Sequence, residues 1–316
     1  MGSFFKGNNA YLFGPQTAAV VFQKNSMLLK NKIGFMQGRL SPMVGGLVQA
    51  FPWSAWREEF AAAETAGLSL MEWTLDQDRL YENPLMTTAG QTEIKDLCQR
   101  HSINIPSVTG DCFMQAPFWK AESSARRLLE RDFIEIVNAC GKLGVKFIVV
   151  PLVDRGAIES RTQEDILVDF LTSRMDSLAD ADLKVVFESD FNGVELKRFI
   201  GRLDPTVFGI NYDIGNSAAL GYSPNEEISA YGHRILNVHV KDRTIGGGTV
   251  PLGSGNADFP TVFRLLADMN YSGNFILQTA RAVDSNHIEP LVLYRKMTEH
   301  WIRSYFPVDA CDKFEQ

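Results

Sequence analysis

The chain has 316 residues, of which 45% are apolar and 22% charged. That is enough hydrophobic surface for a large core and too much for a disordered chain. A formal net charge of −7 and a pI near 5.4 argue against nucleic-acid binding, which needs a basic footprint, and leave a small molecule as the expected ligand.

No apolar run approaches the roughly 18–20 residues of a membrane helix, so no membrane partner is expected. Cys98, Cys112, Cys140 and Cys311 are scattered, with no C-x-x-C pair and no disulfide framework; a reducing, cytoplasmic location is expected. Residues 1–32 precede the first strand pattern, contain a second candidate start at Met27, and are set aside as an N-terminal extension.

From residue 33 onward, short apolar runs alternate with longer segments of helical period. IGFM (33–36) precedes a helical pattern over 56–66, LSLMEW (68–73) one over 91–101, and INIPSV (103–108) one over 123–143. KFIVVPL (146–152) leads to 163–178, KVVFES (184–189) to 193–203, and FGINYD (208–213) to 224–231. ILNVHV (235–240) leads to 259–269, and FILQTA (275–280) to 289–304. Nearly continuous apolar strands are those buried on both faces. Gly67, Gly144 and Gly273 fall where a left-handed helix C-cap returns the chain to the next strand. Eight βα units run without a Gly/Ser/Pro linker, and no G-x-G-x-x-G follows the first strand. The pattern predicts an α/β fold, a closed (β/α)8 TIM barrel over 33–306 with a tail at 307–316, in preference to an open dinucleotide-binding sheet.

Such a barrel builds its site at the C-terminal strand ends. This singles out polar residues closing apolar strands: Glu188 in KVVFESD, Asp213 in INYDIGN, His239 in NVHVKDR and Gln278 in FILQTAR. Each alone reads more readily as a hydrogen-bonded structural residue or loop anchor than as a ligand. Together, oxygen donors and one imidazole from four consecutive strands suit one divalent ion, Mn²⁺, Mg²⁺, Co²⁺ or Zn²⁺, because buried carboxylates need a compensating cation or donors.

In KDRTIGGGTVPLGSGNADF, Lys241 and Arg243 follow the histidine, and glycines at 246–248, 253 and 255 let backbone amides approach an anion. A surface loop with solvated charges is the competing reading. In DIGNSAALGYS, Asn216 and Ser217 either face the substrate or cap a strand-to-helix turn. Glu72, closing LSLMEW, belongs either to the pocket wall or to an ion pair in the barrel rim. Arg39, in GFMQGRLSP, either holds a carboxylate or phosphate or pairs structurally. Trp53, Trp73, Phe113 and Phe118 are sugar-pocket walls or core.

At these residues the chain resembles the sugar-phosphate isomerase/epimerase branch of the xylose-isomerase-like barrels, which includes L-ribulose-5-phosphate and ketose 3-epimerases. The resemblance covers about residues 33–305 and rests on IPSVTGDCFMQAPF, the D-x-G-N of YDIGNS, NVHVKDR, VPLGSGNADF and YSGNFILQTAR. It implies an isomerase acting on a small-molecule sugar or sugar phosphate, with one divalent metal held by Glu188, Asp213, His239 and position 278. A homo-oligomer, dimer or larger, is expected. The resemblance also implies two catalytic glutamates that exchange a sugar carbon's proton through an enediolate, one on each face. Glu188 matches the first. At the second stands Gln278, whose amide can ligate a metal but cannot carry a proton at neutral pH. Three routes stay open. Another carboxylate, such as Glu72 or Asp111, supplies the second base; the reaction needs one base, as in a dehydratase, a lyase or an aldose–ketose isomerase; or the chain binds sugar without turnover. A histidine-rich cluster of the endonuclease IV kind does not fit, since of five histidines only His239 lies on a motif strand end.

Overall fold

A computed structural model describes residues 32–282 and 284–306. The extension assigned to 1–32, apart from its last residue, and the tail assigned to 307–316 lie outside the described residues.

In chain order the strands are β1 (Ile33–Met36), β2 (Leu70–Thr74), β3 (Asn104–Thr109), β4 (Phe147–Leu152), β5 (Lys184–Ser189), β6 (Phe208–Asp213), β7 (Ile235–Val240), β8 (Asp242–Arg243), β9 (Thr249–Val250) and β10 (Asn274–Leu277). All but β8 and β9 pair in parallel and close on themselves in the order β1-β10-β7-β6-β5-β4-β3-β2. β8 and β9 form a small antiparallel hairpin. The helices are α1 (Glu58–Ala66), α2 (Thr88–His101), α3 (Asp111–Gln115), α4 (Ser123–Leu143), α5 (Arg161–Thr172), α6 (Met175–Asp180), α7 (Gly193–Ile200), α8 (Ile214–Ala219), α9 (Pro224–Tyr231), α10 (Phe259–Asp268) and α11 (Ile288–Tyr305). The expected (β/α)8 barrel is the observed fold.

The strands are buried almost throughout, as parallel strands covered by helices must be. Close approach sets one residue in β1. A Cβ on Gly34 would lie 2.7 Å from Leu70 Cβ and 2.8 Å from Ile276 Cδ1, so only glycine lets β1 sit between its neighbours.

Three local expectations are corrected. The segment 163–178 is two helices, because Arg174 leaves helical geometry (φ −111°, ψ 5°) as its N–H closes a tight turn on the Leu171 carbonyl. Gly273 is not a left-handed cap: Asn270 takes that conformation after α10 (φ 58°). The third is the pair of short helices α3 and α8, which lie in no expected helix and are too short for a periodic signal. Trp73, Phe113 and Phe118 are buried in the core, and Trp53 packs against Phe51 and beneath the Arg79 guanidinium.

Candidate active site

Three strand ends bring Glu188, Asp213 and His239 together. One ligand atom from each lies within 4.8 Å of the others, and all three side chains are buried. His239 Nδ1 is 3.0 Å from Glu188 Oε2 and 3.9 Å from Asp213 Oδ2. Its other nitrogen, Nε2, lies 2.8 Å from Glu72 Oε1, and Glu72 Oε2 accepts from Ser107 Oγ and Asn237 Nδ2. Asn211 Nδ2 donates to Glu188 Oε2 and reaches His239 Nδ1.

Glu72 therefore fixes the imidazole from below. With Nε2–H donated to Glu72, neutral His239 turns its Nδ1 lone pair toward the two upper carboxylates, the arrangement of a metal-ligating histidine backed by a carboxylate. Burial opposes charge on His239, but Glu72 and Glu188 outweigh it and push the imidazole up to about 10. A proton on Nδ1 and a divalent ion are thus alternative ways of neutralising the same two carboxylates, so this donor set fits a cation. Burial also raises Glu188, yet His239 and Lys241 bring it below the usual carboxylate range. Asp213 is raised by burial against the pull of Lys241.

Asp213 divides its two oxygens. Oδ1 caps α8 by accepting the Asn216 N–H at 2.8 Å, while Oδ2 faces Lys241 Nζ at 3.2 Å. Asn216 Nδ2 donates to Glu188 Oε1 at 2.6 Å, so the D-x-G-N turn serves both as a helix cap and as a brace for Glu188. Gln278 sits one bond further out: Lys241 Nζ donates to its Oε1 at 3.0 Å and to Asn216 Oδ1 at 3.2 Å.

A cavity of 360 Å³ meets this cluster at Glu188, with Asn216, Lys241, Arg243, Gln278 and Asp111 also in its wall, while Asp213 and His239 lie behind Glu188 and are absent from the wall. It occupies the C-terminal mouth of the barrel.

A family profile described as xylose isomerase-like TIM barrel matches residues 60–304. The chain belongs to the xylose isomerase-like TIM barrel family. Among curated members, SgbU of Haemophilus influenzae, named as an L-ribulose-5-phosphate 3-epimerase, is 24% identical over 267 residues, 79% of this chain and 88% of its own. An inosose dehydratase of Clostridium botulinum is 26% identical over 186 residues, 47% of this chain and 62% of that protein, so this match spans less than two thirds of the relative. A crystal structure of IolI with a zinc atom superposes with a TM-score of 0.68 at 18% identity, covering 87% of this chain and 99% of that one. At that identity the likeness speaks for the xylose isomerase-like fold alone.

Within this family frame, not every residue singled out from the sequence reaches the cavity. Glu72 is fully buried under His239 and is absent from the cavity wall. Arg39 is absent from it too, its guanidinium donating to the Thr279 and Val48 carbonyls. The glycine-rich loop does not present its amides to a ligand: Gly253 and Gly255 N–H donate to Asp242 Oδ2, and Ala257 N–H to Oδ1. A Cβ on Gly255 would lie 2.2 Å from Asp242 Oδ1, so the loop can wrap its carboxylate only with glycine there. Ser217 donates to Glu227, away from the cluster. Sequence reasoning passed over Asn211 and Asn237. Each is a polar break in an apolar strand two residues before a cluster member, hence on the same inward face, and that alternation was the available signal.

Proposed function

We propose that the chain is a metal-dependent isomerase or epimerase that enolises a keto sugar in the cavity that meets the Glu188, Asp213 and His239 cluster. The observation that carries this reading is the convergence of those three donors, with Glu72 setting the histidine tautomer behind them. Glu188, Asp213 and His239 would hold one divalent ion, which when bound polarises the substrate carbonyl and lowers the cost of the enediolate. Glu188 is the base. It lines the cavity, it is held ionised, and the Asn211 and Asn216 amides fix its orientation. Gln278 is better placed to hold Lys241 than to act on a proton.

The substrate is an uncharged keto sugar. All three ammonium hydrogens of Lys241 have protein acceptors in Asp213, Asn216 and Gln278. Three N–H donors of Arg243 are committed to the Gly247 carbonyl and Asn216 Oδ1. The wall also carries the acidic side chains of Asp154, Glu188 and Asp190, against these two cations.

A second reading, a dehydratase on a keto-polyol, is favoured by Gln278, since elimination needs one base where epimerisation needs two proton-handling groups. Enolisation is common to both. The test is incubation of the Mn²⁺-loaded chain in D₂O with D-allulose, D-tagatose, L-ribulose 5-phosphate and an inosose. Deuterium beside the carbonyl in an isomeric product supports the first reading, and loss of water supports the second. No exchange with any of the four sinks both.

A further inference from the structure

Asp111 opens α3 immediately beyond β3, and its side chain is only 5% exposed. It belongs to the cavity wall together with Glu188 and Gln278, and its Oδ2 has no hydrogen-bond partner. The other carboxylates around the mouth are accounted for. Asp213 caps a helix and meets Lys241, Glu72 is held by His239, Ser107 and Asn237, and Asp242 ties down the glycine loop. Asp76 accepts from the Phe51 N–H and from Gln115 Nε2. Asp154 is exposed and Asp190 half-buried, so both keep contact with water. A carboxyl in a cavity wall with one oxygen enclosed and unpaired is costly to keep unless it is protonated or a ligand engages it.

We infer that Asp111 is the acid partner of Glu188 and delivers to the substrate the proton that Gln278, an amide, cannot. The inference rests on the enolisation reading above. Glu188 takes the proton from the carbon beside the carbonyl: the C–H bond breaks, its electron pair becomes the C=C bond of the enediolate, and an O–H bond forms on Glu188. Asp111 then gives its O–H proton to that carbon from its own side. The C=C pair becomes the new C–H bond, the carbonyl re-forms, and Asp111 is left ionised. Exchange of both carboxyl groups with solvent resets the pair.

The charges around Asp111 suit that division of labour. Burial raises it first, then Asp76, Glu188 and Glu72 add to the rise against the pull of Arg39, and together they push it up to about 8. Lys241, Arg243, Asp154 and Asp190 face it across the cavity. At neutral pH Asp111 is therefore a proton donor facing the cavity that Glu188 also lines.

The test compares the full Mn²⁺-loaded chain with Asp111→Asn, using whichever of the four keto sugars exchanges its proton. In the variant, epimerised product falls by about 100-fold or more, while Glu188 still washes deuterium into recovered substrate at a rate within a few-fold of the parent. Melting temperature and Mn²⁺ affinity are unchanged, and the parent's product formation declines as pH rises through about 8. If product formation is unaffected in the variant, or if product and wash-in fall together, the inference is overturned. Absence of wash-in by the parent with all four sugars removes the enolisation reading and this one with it.

Discussion

Oε1 of Glu72 lies 2.8 Å from Nε2 of His239, 167 residues further along the chain. Both side chains are fully buried, so the contact governs which face of the imidazole can act. Glu72→Gln keeps the shape but not the chemistry. Its amide oxygen would accept from Ser107 and Asn237 as the carboxylate does, which turns its NH₂ toward Nε2 and moves the imidazole proton to Nδ1. That proton then faces Glu188, where a cation would sit. Metal affinity should fall by about 10- to 100-fold with little change in melting temperature of the metal-free protein. Titration calorimetry with Mn²⁺ reads this directly, and unchanged affinity would contradict the tautomer argument.

Glu164 on α5 gives a pH prediction at a distance from the cavity. Its carboxylate is nearly fully enclosed and accepts from Arg198 Nη1 and Nη2 at 2.8 and 2.7 Å, with Arg161 and Arg202 also on it. Burial raises its pKa, but Arg198 and Arg202 outweigh burial and hold it at about 2, below the ordinary 4.5. A depressed carboxylate contributes stability that is complete above the ordinary value and is lost as pH falls toward the folded one. Arg198 and Arg202 are about a third exposed and Arg161 more so, which limits the effect through solvent screening. Glu164→Gln should therefore cost about 1–3 kcal/mol at neutral pH, and the gap from the parent should narrow between pH 4.5 and about 2. Urea unfolding at neutral pH and near the low end decides it; a gap that widens on acidification would refute the clamp.

The barrel was legible because buried parallel strands write themselves as short apolar runs, and Glu188, Asp213 and His239 stood out as polar residues closing such runs. What sequence does not encode locally is the choice of partners. Lys241 and Arg243 read as free cations two and four residues past a histidine. Their acceptors, Gln278 Oε1 and Gly247 O, depend on β10 returning beside β7 and on the hairpin folding back. The loop amides at Gly253 and Gly255 went to Asp242 for the same reason. Asn211 and Asn237 were visible in principle, since period-two alternation puts them beneath Asp213 and His239.

Gln278→Glu tests what the amide is for. A carboxylate there would pair with the Lys241 ammonium, now 3.0 Å from Oε1, and add negative charge beside the proposed cation site. Affinity for Mn²⁺ should rise by about tenfold, since ligand charge tunes such sites. Turnover should fall, because Lys241 would be drawn away from Asp213 and Asn216 while Asp111 already supplies the second proton. A gain in epimerisation would instead mean that the glutamine is a lesion in a two-glutamate site, and would count against the role given to Asp111.

The last prediction concerns phosphate. An ammonium has three hydrogens to donate, and those of Lys241 meet Asp213 Oδ2, Asn216 Oδ1 and Gln278 Oε1 at 3.2, 3.2 and 3.0 Å. Three of the five N–H donors of Arg243 are also committed, two to the Gly247 carbonyl and one to Asn216. A phosphate seated on Lys241 or on these Arg243 hydrogens would have to break bonds to Asn216 Oδ1, loosening the amide that braces Glu188, and would sit beside the acidic side chains of Asp154, Glu188 and Asp190. The unphosphorylated ketose should therefore be preferred over its phosphate by at least about tenfold in kcat/KM, about 1.4 kcal/mol of discrimination, and inorganic phosphate at millimolar concentration should not inhibit. Arg243→Met should leave the preference intact and lower turnover through loss of the Asn216 contact. The opposite pattern, a phosphorylated sugar favoured and inhibition by phosphate that weakens with added salt, would show that one of these cations is released when substrate binds.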